Sequence, residues 1–138
     1  MPFLYMKKRV IVISLGGSLI IPDKVDVNYL KNFKKTILKH TNKYKFIIVC
    51  GGGSTARKYI SALKENNINP RLQSLAGISA TRINARFMNY FFNKDSEKGI
   101  PHTFRQLKKQ LKNILMLLVV VKVPLLLLNY LKVKVVLL

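Results

Sequence analysis

The uncharged run Phe46-Ile47-Ile48-Val49-Cys50 stops on Gly51-Gly52-Gly53-Ser54, and this junction constrains the fold more than any other stretch of the chain. A short apolar run without alternation is the pattern of a strand buried on both faces. Glycines let a backbone come close to a bound group, and the first N–H groups of a helix attract anions. Ser54 is placed to cap a helix beginning at Thr55. A similar junction occurs earlier, where Val10-Ile11-Val12-Ile13 leads into Gly16-Gly17-Ser18. Two strand-to-glycine turns of this kind indicate a phosphate site at one edge of a parallel sheet.

The rest of the sequence supplies the elements such a sheet needs. A first strand is expected over about Arg9 to Leu15. Asp26 can cap a helix that runs to about Lys39, with Leu30, Phe33, Ile37 and Leu38 on its inner face. The second strand covers Lys45 to Cys50, and its helix carries Ala56, Tyr59, Ile60 and Leu63 on one stripe before ending at Asn66-Asn67. Pro70 marks a loop. Ser79 to Phe92 then places Ile83, Phe87 and Phe91 at helical spacing, and Asn93 to Pro101 reads as a loop. Thr103 can cap a last helix bearing Phe104, Leu107 and Leu111. Strands alternating with helices give an α/β fold with a parallel sheet, whose ligands sit beyond the carboxyl ends of the strands.

Composition removes several other readings. The formal charge is +20 over 138 residues, carried mostly by lysines spread along every segment. Lys31, Lys34, Lys35 and Lys39 fall on the outer side of their helix, where a solvated face is the plain explanation. No helix-turn-helix, zinc or aromatic-and-basic signature accompanies the charge, so no specific nucleic-acid partner is expected. Cys50 is the single cysteine, which excludes a disulfide framework and fits a reducing, cytoplasmic setting. His40 and His102 are isolated. Asp23, Asp26, Glu65, Asp95 and Glu97 form no pair suited to acid–base work, and no metal-ligand spacing is present. The stretch Ile114 to Leu128 is shorter than the roughly 20 apolar residues of a membrane span, and Lys122 and Pro124 interrupt it.

The glycine turns themselves admit two explanations. Gly16-Gly17 reads either as a tight strand-to-loop turn or as part of an anion site. Three successive glycines at a helix N-terminus favour a phosphate role. Neither turn has the Gly-x4-Gly-Lys-Ser/Thr spacing of a P-loop. Arg57 lies near the start of its helix, where a cation opposes the helix dipole, and this favours a functional role. Arg82 reads as either a surface arginine or a ligand-side residue.

Three segments carry a resemblance to a known family: Ser14-Leu15-Gly16-Gly17-Ser18, Val49 to Ile60, and Gly77-Ile78-Ser79-Ala80-Thr81-Arg82-Ile83-Asn84-Ala85. In order and spacing they resemble the archaeal-type UMP kinases of the amino acid kinase superfamily, over residues 9 to about 114. The resemblance implies an open, mostly parallel sheet between helix layers, of which this chain holds the N-terminal half. It implies transfer of the γ-phosphoryl group of ATP, bound with Mg2+, to UMP in pyrimidine nucleotide synthesis. By position, Ser14, Leu15, Gly16, Gly17, Ser18, Gly53 and Arg57 would serve ATP and Gly52 would meet UMP. Gly51 and Arg82 would give support. Relatives hold the UMP ribose with an acid, and the aligned residue here is Ser74. Relatives assemble as hexamers. Isopentenyl phosphate kinase and acetylglutamate kinase are the alternatives within the superfamily, and a non-catalytic nucleotide- or polyanion-binding remnant is the alternative outside it.

Residues 1–113 are thus expected to form the phosphate-binding part, and 114–138 an atypical apolar and basic tail. As a strand pair this tail would be sticky and aggregation-prone. A shifted reading frame accounts for it: glycine codons ending in T give valine when read one base late, and Pro-Ala-Thr-Thr codons can likewise give leucine. Val119-Val120-Val121-Lys122-Val123-Pro124 followed by Leu125 to Leu128 then stands where relatives carry a glycine and threonine motif that binds UMP.

Overall fold

The computed structural model describes residues 8–92, 100, 103–113, 117–120 and 134–138. Its elements run β1 (Arg9–Leu15), α1 (Gly17–Ile20), α2 (Val27–Lys39), β2 (Tyr44–Cys50), α3 (Gly53–Glu65), α4 (Pro70–Phe91), α5 (Phe104–Asn113), β3 (Leu117–Val120) and β4 (Lys134–Leu137). The four strands form one sheet in the order β3-β2-β1-β4, and every neighbouring pair is parallel. The parallel α/β expectation therefore holds. The expected Asn93–Pro101 loop falls almost wholly outside the described residues, as do Asp95, Glu97, His102 and residues 121–133. So do the side chains of Phe104, Leu107 and Leu111.

β1 and β2 are the centre of the sheet because their sequences have little that must face water. Ile13 and Leu15 from β1 pack with Phe46, Ile48 and Cys50 from β2 against Leu30, Phe33 and Ile37 of α2 and Ala85, Met88 and Phe92 at the end of α4. Ile47 and Ile48 are fully buried. Each such side chain contributes about 2 kcal/mol relative to leaving it in water. β3 and β4 occupy opposite edges rather than forming a pair with one another. On the β4 edge, Leu137 is 79% exposed, an apolar edge of the kind that invites further strand pairing.

Local signals explain where the helices begin. The Asp26 carboxylate accepts from the Tyr29 N–H at 3.0 Å and starts α2. Thr103 and Gln106 form a reciprocal capping box at α5. Two expectations are corrected. α3 starts at Gly53, with Gly52 as a cap that has no side-chain bond; Ser54 is buried inside the first turn. The expected loop at Pro70 is the first turn of α4, which is continuous through Gly77 to Phe91. Proline suits this position because its missing N–H has no helical partner anyway. The Asn69 side chain caps the turn by accepting from the Leu72 N–H at 3.1 Å.

Three apolar stripes are also corrected. On α4 the buried residues are Ala80, Asn84, Ala85 and Met88, while Ile83 is 58% exposed. Small residues at 80 and 85 bring this helix against α3, β2 and β3, and that rotation turns Ile83 outward. Leu38 of α2 and Tyr59 of α3 are likewise exposed.

Candidate functional site

The register of the central strands builds the site. Leu15 pairs with Cys50 at the carboxyl ends of β1 and β2, so the two glycine turns leave the sheet level and side by side. The Gly51 N–H donates to the Leu15 carbonyl at 3.2 Å, and beyond that bond the chains touch backbone to backbone. A Cβ on Gly17 would lie 2.6 Å from the Gly51 carbonyl carbon and 2.7 Å from the Gly52 nitrogen. Only glycine permits this approach.

The second turn has a particular backbone shape. Gly52 is right-handed, at φ −86° and ψ −22°, and Gly53 is left-handed, at φ 59°. Successive right- and left-handed residues aim their N–H groups into one concavity that binds anions. Among the described residues, the N–H groups of Gly52 and Gly53 have no hydrogen-bond acceptor, whereas the next one, of Ser54, donates to the Ile21 carbonyl at 3.0 Å. The N-terminus of α3 adds its dipole at the same place.

Arg57 stands across from the first turn. Its guanidinium donates to Ser18 Oγ at 3.1 Å and to the Pro22 carbonyl at 3.3 Å, tying α3 to α1 and the loop after it. Next to it, Lys58 Nζ pairs with the Asp23 carboxylate at 2.8 Å. This ammonium holds the fully exposed Asp23 carboxyl below its usual range. Pro22 to Asn28 line an open depression of about 490 Å³ beside these contacts.

The other expected residues are placed as follows. Gly16 donates its N–H to the Leu138 carbonyl at 3.3 Å, and the Ser14 carbonyl accepts from the Leu138 N–H at 3.0 Å. These two bonds continue the ladder to β4. Leu15 is buried in the core and its carbonyl is the one taken by Gly51. Gly17 opens α1, so its N–H and that of Ser18 have no partner within that helix. Ser74 and Arg82 lie exposed on α4. Between them, Gly77 puts its carbonyl 3.5 Å from where a Gly52 Cβ would be. Cys50, just before the triple glycine, is a core group: burial pushes its thiol up to about 12, so it stays protonated and unreactive at neutral pH.

One residue escapes a reading of the sequence. Asn84 is 5% exposed, and its Nδ2 donates to the Gly51 carbonyl at 2.8 Å. Its signals are its place in the Gly77–Ala85 segment and an amide at the spacing of Ala80 and Met88 on an otherwise apolar face, and neither names its task.

A family model described as the amino acid kinase family matches residues 9–125, most of the chain and all of the site. The chain belongs to the amino acid kinase family. It is 48% identical over 79 residues to a uridylate kinase of Thermoplasma acidophilum, covering 56% of this chain and 34% of that relative. Against a uridylate kinase of Thermococcus kodakarensis it is 33% identical over 109 residues, 75% of this chain and 47% of the relative. The solved uridylate kinase from Archaeoglobus fulgidus superposes with a TM-score of 0.64 at 28% identity, over 79% of this chain and 49% of that one. The UMP kinase from Ureaplasma parvum shares the fold, with a TM-score of 0.67 at 24% identity, over 84% of this chain and 55% of its own. This amino acid kinase chain spans about a third to a half of the length of the curated relatives it matches.

Proposed function

We propose that the chain carries the phosphate-gripping part of a UMP kinase, which moves the γ-phosphoryl group of ATP onto the phosphate of UMP in pyrimidine nucleotide synthesis. The observation that supports this most is the Gly52–Gly53 concavity set against Gly17 and Ser18 at the level ends of two parallel strands. Phosphoryl transfer depends on holding donor and acceptor in line and on neutralising charge, with little covalent work for the protein. Two adjacent sets of amides suit that task, Gly17, Ser18 and Gly53 facing ATP and Gly52 facing UMP. Arg57 contributes positive charge beside the first set, and Ser74 on α4 offers a hydroxyl for the UMP ribose. Among the described residues, no three His, Cys, Asp or Glu side chains cluster to hold a metal. Mg2+ belongs to the same reading as a partner of the ATP phosphates, where it would neutralise developing charge. No helix among the described residues is long and apolar enough to cross a membrane, and a cytoplasmic place belongs to the same reading.

A coupled assay of UMP-dependent ADP release tests this, with isopentenyl phosphate and acetylglutamate as competing acceptors. Turnover with UMP alone supports it. A second reading is nucleotide or polyanion binding without turnover, which the formal charge of +20 suits. ATP or UMP binding without turnover points to that reading. We also infer that residues 114–138 include an out-of-frame stretch, although β3 within it joins the sheet and the family match reaches residue 125. The gene's nucleotide sequence decides this, since a second frame must encode the glycine and threonine motif. Assembly into a homo-oligomer follows the same resemblance and is checked by sedimentation.

A further inference from the structure

We infer that Asn84 is a positioning residue that fixes the direction of the Gly51–Gly52 peptide and so decides whether the glycine turn attracts an anion or repels it. This rests on reading the turn as a phosphate site.

A trans peptide is planar, with its C=O and N–H pointing opposite ways. Drawing the Gly51 carbonyl toward Asn84 at 2.8 Å therefore turns the Gly52 N–H away from α4 and into the concavity it shares with Gly53. Nothing in the local chain enforces this orientation. The peptide has glycine on both sides, and glycine tolerates either direction because it has no Cβ to clash. Rotating the plane by half a turn would put the Gly51 carbonyl oxygen where the N–H had been, replacing a donor by an acceptor at the mouth of the site. The Asn84 amide opposes that rotation, because the part-buried Gly51 carbonyl would lose its partner and the buried amide would lose its acceptor.

The placement of Asn84 also links the turn to α4. Gly77, on the same helix, approaches Gly52, so one rigid helix both carries Ser74 and holds the turn. The arrangement explains why an amide stands on a face otherwise made of Ala80, Ala85 and Met88. A residue serving packing alone would be apolar.

The test uses the full chain, 15N-labelled, titrated with inorganic phosphate and then with UMP, as wild type, Asn84→Ala and Asn84→Asp. In the wild type, the Gly52 and Gly53 amide resonances shift on binding. With Asn84→Ala, affinity falls on the order of tenfold or more, and the Gly52 response is lost while resonances from β1 and α2 keep their native positions. Asn84→Asp keeps the shape but loses the donor at neutral pH. As the carboxyl protonates and can donate again, its affinity relative to wild type at the same pH should recover together with the Gly52 shift, whereas loss of the carboxylate charge alone would restore affinity without that shift. If both variants bind within twofold of wild type with the Gly52 shift intact, Asn84 positions nothing, though the phosphate reading stands. If neither anion shifts Gly52 or Gly53 in the wild type, the phosphate reading falls and takes this inference with it.

Discussion

Gly51 and Gly17 occupy each other's side-chain space: a Cβ on Gly51 would lie 2.7 Å from the Gly17 nitrogen. The obstructing atoms are backbone, held by the β1–β2 ladder, and cannot swing aside. Gly17→Ala and Gly51→Ala are therefore expected to cost about 1–3 kcal/mol each, the usual range for overpacking a tight interior. Urea unfolding followed by circular dichroism reads the loss. Gly77→Ala is the contrast, because its Cβ would meet only the end of the Ile60 side chain at 3.1 Å. In mid-helix the added methyl gains up to about 1 kcal/mol of helix propensity, so this variant should be near neutral or more stable.

Arg57 makes both of its bonds at the surface, to Ser18 Oγ and the Pro22 carbonyl. Such exposed contacts contribute little to folding, so Arg57→Ala should lower stability by less than about 1 kcal/mol. A charge-assisted bond to phosphate is stronger, about 1.5–3 kcal/mol. Titration calorimetry with MgATP should accordingly show at least a tenfold loss of affinity. Equal ATP affinity in wild type and variant would remove Arg57 from the site.

How much of this was legible in the chain follows the range of each signal. β1, β2 and α2 could be read because an apolar run or an Asp26 cap is a local pattern with one reasonable structure. The paired glycine turns were legible for the same reason, and their position at the strand ends follows from the parallel order. What failed depends on contacts from outside the segment. The spacing of Ile83 with Phe87 and Phe91 places it inward, but the direction of α4 is set by where Asn84 and Ala80 must meet the sheet. Pro70 alone reads as a loop because its role as the first residue of a helix depends on the Asn69 cap beside it. Ser54 reads as a cap, yet α3 begins at Gly53, two residues before the expected Thr55, with Gly52 as its cap.

Lys34 shows that one of the many lysines has a structural task. Its Nζ donates to the Phe91 carbonyl at 2.8 Å, at the end of α4, and lies 5.6 Å from the centre of the Phe91 ring. A cation at a helix C-terminus meets the negative end of the dipole and an unpaired carbonyl together. Lys34→Met should destabilise by about 1 kcal/mol and loosen the end of α4. Lys31→Met, on the same exposed side of α2, should change stability by less than about 0.5 kcal/mol. Thermal melts of the two variants side by side separate a docking lysine from a merely solvated one.

Cys50 gives the fold a measurable dependence on alkaline pH. Burial raises its thiol from 9.0 to about 12 in the folded chain, whereas the unfolded chain titrates near the ordinary value. Below about pH 9 both states hold the proton and the group adds no pH dependence. Between the two values the folded state keeps a proton that the unfolded state has lost, so unfolding becomes more favourable as pH rises. One proton corresponds to a decline of about 1.4 kcal/mol per pH unit across that window. The informative quantity is the difference between two proteins that share every other ionisable group. Cys50→Ala loses a buried sulfur and should be less stable at neutral pH by about 1 kcal/mol, but its stability should fall less steeply above pH 9. The two urea-unfolding curves then converge as pH increases. Parallel curves would mean that the thiol ionises in the folded chain as readily as in the unfolded one, and that the end of β2 is open to water.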